Sequence, residues 1–178
     1  MTRYRYYTAT TLDGFLADDA DSLAWLFRQH IEEDGPGGTA AFLQNVGAQV
    51  MGATTYMWVL DHEPNWLPEL PTFVFTHRDL EPANDHVSFV AGSPADHRAL
   101  FEAAAGGRHV WMMGGGGLAA EFATAGMLDE VLVSIAPVTL GSGKPLFDGA
   151  FDLALQQCDR NGDFVTARYD VVGPMETS

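Results

Sequence analysis

Four consecutive glycines, Gly114, Gly115, Gly116 and Gly117, stand between an apolar run at residues 109–113 and an amphipathic run at residues 118–125. A buried strand that passes without side chains into a helix belongs to an open α/β sheet, and it narrows what the rest of the chain can form. The missing side chains let backbone N–H groups approach an anion, and the helix start adds partial positive charge. A pyrophosphate suits such a turn. The run is not Gly-x-Gly-x-x-Gly with an acid some twenty residues on, and it is not a Walker sequence, because no Gly-Lys-Ser/Thr follows.

A second turn of the same kind, Met51-Gly52-Ala53-Thr54-Thr55-Tyr56, follows the apolar residues 48–52 and offers a glycine and two hydroxyls, Thr54 and Thr55, at a helix start. It reads equally as a plain threonine N-cap. Two such turns in one sheet suit a dinucleotide better than either does separately. A strand over residues 71–77 delivers Thr76 and Arg78 to the same edge, where the cation is placed to meet a ribose 2′-phosphate or to remain a solvated charge. Asp13-Gly14 closes the first strand as a turn pair, and Asp21 precedes a helix start. These two carboxylates are the candidate catalytic residues.

The remaining pattern alternates. Residues 4–10 predict a strand, and Ser22 predicts the cap of a helix through Leu23, Leu26, Phe27 and Ile31, broken by the glycine-rich residues 32–38. Thr39 predicts the cap of a short helix through Phe42, Leu43 and Val46, residues 54–60 predict one or two helical turns, and Pro64, Pro68 and Pro71 force a loop around Trp66. Residues 86–91 form the next strand. Ser93-Pro94-Ala95-Asp96 then starts a helix through Leu100, Phe101 and Ala104 that Gly106-Gly107 ends. Gly126 ends the helix after the glycine run, residues 131–136 form a strand, and residues 151–158 and 163–172 flank Arg160-Asn161-Gly162, the signal of an antiparallel hairpin. The order predicts an α/β fold with a mostly parallel sheet and antiparallel strands at its C-terminal edge. Ligands of such sheets sit beyond the carboxyl ends of the strands.

Composition removes several classes. With 178 residues the chain is expected to form one domain, and 47% hydrophobic against 19% charged residues describe a globular protein. Nine basic and twenty-four acidic side chains give a net charge of −15, which repels a phosphate backbone, so nucleic acid is not an expected partner. No signal-like or membrane-length apolar run occurs, so a cytoplasmic location and no membrane partner are expected. Cys158 is the lone cysteine and the six histidines lack metal spacing, so no metal site is expected.

The segments Ala9-Thr10-Thr11-Leu12-Asp13-Gly14-Phe15-Leu16-Ala17, Met51-Gly52-Ala53-Thr54-Thr55-Tyr56, residues 110–116 and Pro137-Val138-Thr139-Leu140-Gly141-Ser142-Gly143-Lys144-Pro145-Leu146-Phe147 occur in an order that resembles the dihydrofolate reductase-like superfamily. The chain looks most like the branch holding the C-terminal reductase domain of the riboflavin-biosynthesis deaminase/reductase and its stand-alone relatives. The resemblance implies a three-layer α/β/α fold over residues 1–178, with an eight-stranded central sheet and NADPH laid across the strand ends. It places Gly52, Thr54, Thr55, Gly115, Gly116 and Gly117 at the phosphates, Thr76 and Arg78 at the adenosine, and Ala9 and Leu16 at the nicotinamide. Residues 15–21 correspond to a flexible loop. Relatives commonly carry arginine where this chain has Ala53, which leaves the 2′-phosphate to Arg78.

The resulting expectation is an NADPH-dependent reductase of a small nitrogen heterocycle. Its substrate is a pyrimidine of the riboflavin pathway, as in 5-amino-6-(5-phosphoribosylamino)uracil reductase, or a pterin such as dihydrofolate. Asp13 is the first choice for a substrate or proton-relay contact and Asp21 the second. A non-enzymatic NADP(H)-binding or regulatory protein on the same fold is the alternative. A homodimer is expected from the edge made by the final hairpin and its aromatic residues Phe151, Phe164 and Tyr169.

Overall fold

The computed structural model describes residues 1–63 and 69–176 of the chain. Strand β1 (Tyr4–Thr11) is followed by the short β2 (Phe15–Ala17), an irregular stretch, and helix α1 (Thr39–Leu43). Then come β3 (Val46–Gly52), α2 (Ala53–His62), β4 (Thr72–Phe75) and β5 (Val87–Val90). A 3₁₀ turn at Pro94–His97 leads into α3 (Arg98–Ala105), β6 (His109–Gly114), α4 (Gly116–Thr124) and β7 (Glu130–Ala136). The short β8 (Lys144–Pro145) precedes the hairpin of β9 (Phe151–Asn161) and β10 (Phe164–Pro174). The loop expected around Trp66 from Pro64 and Pro68 falls outside the described residues.

Eight strands form one sheet in the order β5-β4-β3-β6-β1-β7-β10-β9, parallel from β5 through β7 and antiparallel at β10 and β9. This is the predicted architecture. Central strands β3 and β6 are buried on both faces because helices cover both, as parallel sheets require. Tyr6, Met112 and Val131 meet Phe101 of α3 and Phe122 of α4 on one face. Met51, Val74 and Trp111 meet Phe42 of α1 and Tyr56 of α2 on the other. Beyond the main sheet, β2 pairs with β8, a small sheet that strand propensity did not predict.

The helix starting at residue 93 forms as its sequence dictates: Ser93 and Asp96 make a reciprocal capping box with proline in the first turn. Gly106 then takes the left-handed C-cap at φ 58°. The helix predicted after Ser22 does not form. Ser22 does cap the N–H of Ala24 at 3.2 Å, but only isolated turns follow. Near the end of the expected helix the distant hairpin takes the backbone, since His30 N–H donates to Asp163, and just beyond it Glu32 N–H donates to Asn161. Trp25, which lies outside the expected apolar stripe, is the residue buried, while Phe27 stays exposed.

Three smaller corrections have similar causes. Helix α1 is capped by Gly38, so Thr39 is its first residue, and Val46 opens β3 because its partner His109 draws it into the sheet. The hairpin pairs Asn161 with Phe164, which moves the two turn residues to Gly162 and Asp163. Asn161 is thereby freed to face inward, where its amide donates to the carbonyls of Glu32 and Pro36.

At the amino ends of the parallel strands, buried Glu130 gathers three guanidinium groups. Arg3 and Arg168 lie 3.0 Å from its carboxylate and Arg5 lies 2.5 Å away. A buried carboxylate needs such pairing to stay charged. The cluster ties β1, β7 and β10 together and takes three of the chain's few cations away from the carboxyl end of the sheet.

Candidate functional site

Helices α2 and α4 leave neighbouring strands β3 and β6 and pack on opposite faces of the sheet. The crevice between their starts is the topological switch point of the sheet, where open α/β folds hold ligands. A cavity of about 550 Å³ occupies it.

Both helix starts face this cavity. Each has glycine at its N-cap, Gly52 for α2 and Gly115 for α4, with neither a side-chain cap nor an acid in the first turn. Their first N–H groups therefore lack the partners that caps usually supply, which suits an anion. The reading of this turn as a threonine N-cap is thus replaced by a glycine cap, and Thr54 and Thr55 are left to line the cavity.

The four glycines have different reasons. Gly114 sits at φ +146°, a backbone region that favours glycine, and its peptide bond to Gly115 is cis. A Cβ on Gly116 would lie 2.3 Å from the carbonyl oxygen of Pro145, so this glycine admits the strap that crosses above it. A Cβ on Gly52, Gly115 or Gly117 would meet nothing within 4 Å, so those three keep space open to the ligand side.

The strap consists of β8 and the residues that follow it, 144–148. Buried Tyr6 donates its hydroxyl to the carbonyl of Leu146 at 2.9 Å, and burial raises that phenol above its ordinary range. The strap brings Lys144, Pro145 and Asp148 to the cavity. The segment expected to be a flexible loop, residues 15–21, is fastened to it: β2 pairs with β8, Asp19 accepts from Ser142 at 2.6 Å, and the Asp21 carboxylate lies 3.7 Å from the Lys144 ammonium. Asp21 is left-handed at φ 60°, a conformation aspartate tolerates, and Asp18 stabilises the turn by accepting from Ala20 and Ser22 at 2.9 Å.

Of the residues singled out from sequence, Ala9, Leu16, Asp21, Gly52, Thr54, Thr55, Gly114, Gly115, Gly116 and Gly117 line this one cavity. Asp13 does not. Its carboxylate accepts the N–H groups of Leu140 at 3.0 Å and Gly141 at 2.7 Å and the hydroxyl of Thr11, bonds that hold it below the usual carboxylate range. Asp13 braces one loop against another, and of the two candidate carboxylates Asp21 is the one that lines the cavity. Thr76 and Arg78 also lie outside the cavity lining, at the end of β4 beside β3. There Thr76 Oγ1 accepts the Arg78 N–H at 2.9 Å, and the Arg78 side chain has no ion-pair partner among the described residues.

Sequence reasoning missed the apolar wall. Trp25 donates its indole N–H to the Leu16 carbonyl at 3.2 Å, and Trp58, on α2, stacks on His62 with ring centroids 4.5 Å apart and on Phe27 at 6.2 Å. Both tryptophans line the cavity, as do Leu23 and Leu26. Tryptophan in a loop carries no positional signal, and although Trp58 falls within the helix expected over residues 54–60, only the tertiary structure shows that it faces the cavity. Among the described residues no cluster of histidine, cysteine and carboxylate side chains is arranged to hold a metal, and no helix is long and apolar enough to cross a membrane.

A switch-point cavity flanked by two glycine-capped helix starts, with an antiparallel hairpin closing the sheet, defines the dihydrofolate reductase-like class of α/β protein. Within that class the chain belongs to the RibD C-terminal domain family, whose model matches residues 58–162. YwjB of Bacillus subtilis (strain 168) is 31% identical over 146 residues, spanning 79% of this chain and 80% of its own. A protein of Shewanella sp. PV-4, described as belonging to riboflavin biosynthesis, superposes with a TM-score of 0.81 at 25% identity, covering 96% of this chain and 99% of that one. Dihydrofolate reductase from Enterococcus faecalis, complexed with NADP(H), shares the fold at a TM-score of 0.61 and 13% identity, with 96% of each chain covered.

Proposed function

We propose that the protein is an NADPH-dependent reductase acting on a small nitrogen heterocycle of the pyrimidine or pterin kind, with a riboflavin-pathway type of reaction as its reference point. The observation that carries the reading is the pair of uncapped helix starts opening on one cavity. Membership of the RibD C-terminal domain family supports it, as does the NADP(H) seen with the Enterococcus faecalis protein of the same fold.

In this reading the amides after Gly52 and Gly115, with Thr54, Thr55, Gly116 and Gly117, hold the diphosphate, while Thr76 and Arg78 flank the adenosine and its 2′-phosphate. Ala9 and Leu16 lie against the nicotinamide, whose reduced ring supplies the hydride when bound. The chain itself contributes orientation and exclusion of water, through the strap above Gly116 and the apolar wall of Trp25 and Trp58. Asp21, the carboxylate of the two candidates that reaches the cavity, accepts an N–H of the substrate. We infer a homodimer as the working state.

Titration of NADPH and NADH against the whole chain, followed by nicotinamide fluorescence, tests the reading. NADPH is expected to bind tighter by about ten- to a hundredfold, the worth of one charged contact to phosphate at about 1.5–3 kcal/mol. Arg78→Ala removes that preference and leaves NADH affinity alone. Gly115→Val and Gly117→Val fill open space without a clash and are expected to abolish binding of both cofactors. Unchanged affinity in both glycine variants would place the dinucleotide elsewhere, and equal loss for both cofactors in Arg78→Ala would show that this arginine does not read the phosphate.

A further inference from the structure

The charges around the cavity do not match a phosphorylated substrate. Among the described residues that line it, the acidic and basic side chains are Asp21, Lys144 and Asp148. The one cation, Lys144, is already answered by Asp21 at 3.7 Å, and Asp148 adds a further negative charge. Among the described residues no arginine lines the cavity; Arg3, Arg5 and Arg168 are held by Glu130 at the other end of the strands, and Arg98 is paired with Glu102 on α3. The anion-binding capacity of the site therefore resides in the two helix starts. Under the reading above, a dinucleotide uses both.

A phosphate monoester carries a charge of about −1.5 to −2 at neutral pH and is recognised by guanidinium or ammonium groups. Placed among Asp21, Asp148 and the apolar side chains of Leu23, Trp25, Leu26 and Trp58, it would lose water, gain no cation and face two carboxylates. A flat ring rich in N–H groups meets the opposite situation. Carboxylate oxygens are acceptors only, so Asp21 can take its N–H groups, and the tryptophans and leucines cover its apolar area.

We infer that the substrate part of this cavity is built for a planar nitrogen heterocycle that is uncharged or cationic, rich in N–H donors and free of phosphate. This rests on the assignment of the glycine turns to NADPH and deepens it: the chain keeps the family's fold while rejecting a sugar-phosphate substituent on the ring. Asp21 and Asp148 are the residues that set this specificity, and Trp58 contributes affinity without charge discrimination.

The test is a matched pair of aminopyrimidine ribosides that differ only in one 5′-phosphate, titrated calorimetrically into the whole chain saturated with NADP⁺, so that no turnover is needed. The unphosphorylated member is expected to bind at least about tenfold tighter, a difference of about 1.4 kcal/mol. Asp148→Lys and Asp21→Asn each shrink that ratio, whereas Trp58→Ala weakens both members and leaves the ratio unchanged. Equal or tighter binding of the phosphorylated member overturns the inference, as does failure of both to bind. If NADP⁺ and NADPH themselves do not bind, the cofactor reading falls separately. The same pair titrated into the cofactor-free chain then still reports the phosphate preference.

Discussion

Asp13 and Asp21 sit eight positions apart, one on each side of the short β2, and the chemistry open to each is decided by its neighbours. Asp13 spends its carboxylate on Leu140, Gly141 and Thr11, and those donors stabilise the ionised form. A carboxyl group whose folded value is lowered adds stability that is complete above the ordinary carboxylate range and lost as pH falls through the folded value. Asp13→Asn is therefore expected to lower the melting temperature at pH 7, with the gap to the unaltered protein closing on acidification and NADPH affinity unchanged. Thermal melts from neutral to acid pH check this. A gap that persists at low pH, or a lost cofactor site, would return Asp13 to the ligand side. The Asp-Gly pair marks a turn in any sequence, so the type of residue was legible and its partner, more than a hundred positions away, was not.

At the scale of elements, the strap formed by β8 and the residues after it does most to shape the site. Its carbonyls are packed onto Gly116, its Lys144 meets Asp21, and Tyr6 of β1 holds it from below. Tyr6→Phe keeps the ring but leaves the half-buried Leu146 carbonyl without its donor, a change worth about 1–3 kcal/mol. At about 2–4 °C per kcal/mol for a chain of this size, the melting temperature is expected to fall by about 2–12 °C. NADPH affinity falls with it as the strap loosens over Gly116. A differential scanning calorimetry trace identical to that of the unaltered protein would show that the hydroxyl does not hold the strap. The strap and the turns after Ser22 share one lesson. Local apolar spacing named a helix at Leu23, Leu26, Phe27 and Ile31, but Asp163 of the hairpin took the N–H of His30 near its end.

For the whole molecule, the sheet face that carries α3 and α4 continues past them onto the hairpin. Leu155 stands opposite Tyr169, Leu153 opposite Val171, and Val165 opposite Ile135, yet Leu153, Leu155 and Val165 are exposed. An apolar sheet face beside an edge strand of eleven residues is the feature on which the proposed homodimer rests. The aromatic residues first expected to form it divide differently, since Phe164 is fully buried and Phe151 packs on Phe147. Light scattering is expected to give twice the 19.3 kDa of one chain, and Leu155→Asp with Val165→Asp is expected to return it to one. A mass of 19.3 kDa for the unaltered protein at micromolar concentration would remove the dimer.

The alternation of apolar runs with glycine turns determined the parallel sheet, the hairpin at its edge and the two helix starts that face the cavity, because each depends on local pattern: period, caps and the freedom of glycine. Gly52, Thr54, Thr55, Gly114, Gly115, Gly116 and Gly117 were legible for that reason. Asp148, Trp25, Trp58 and the true employment of Asp13 were not, nor was the gathering of Arg3, Arg5 and Arg168 at Glu130. These follow from which distant segments meet once the sheet has closed. Hydrogen bonds and charge balance act over a few ångströms of space whatever the separation along the chain, so only the tertiary structure decided which carboxylate reaches the cavity and which cations stay away from it.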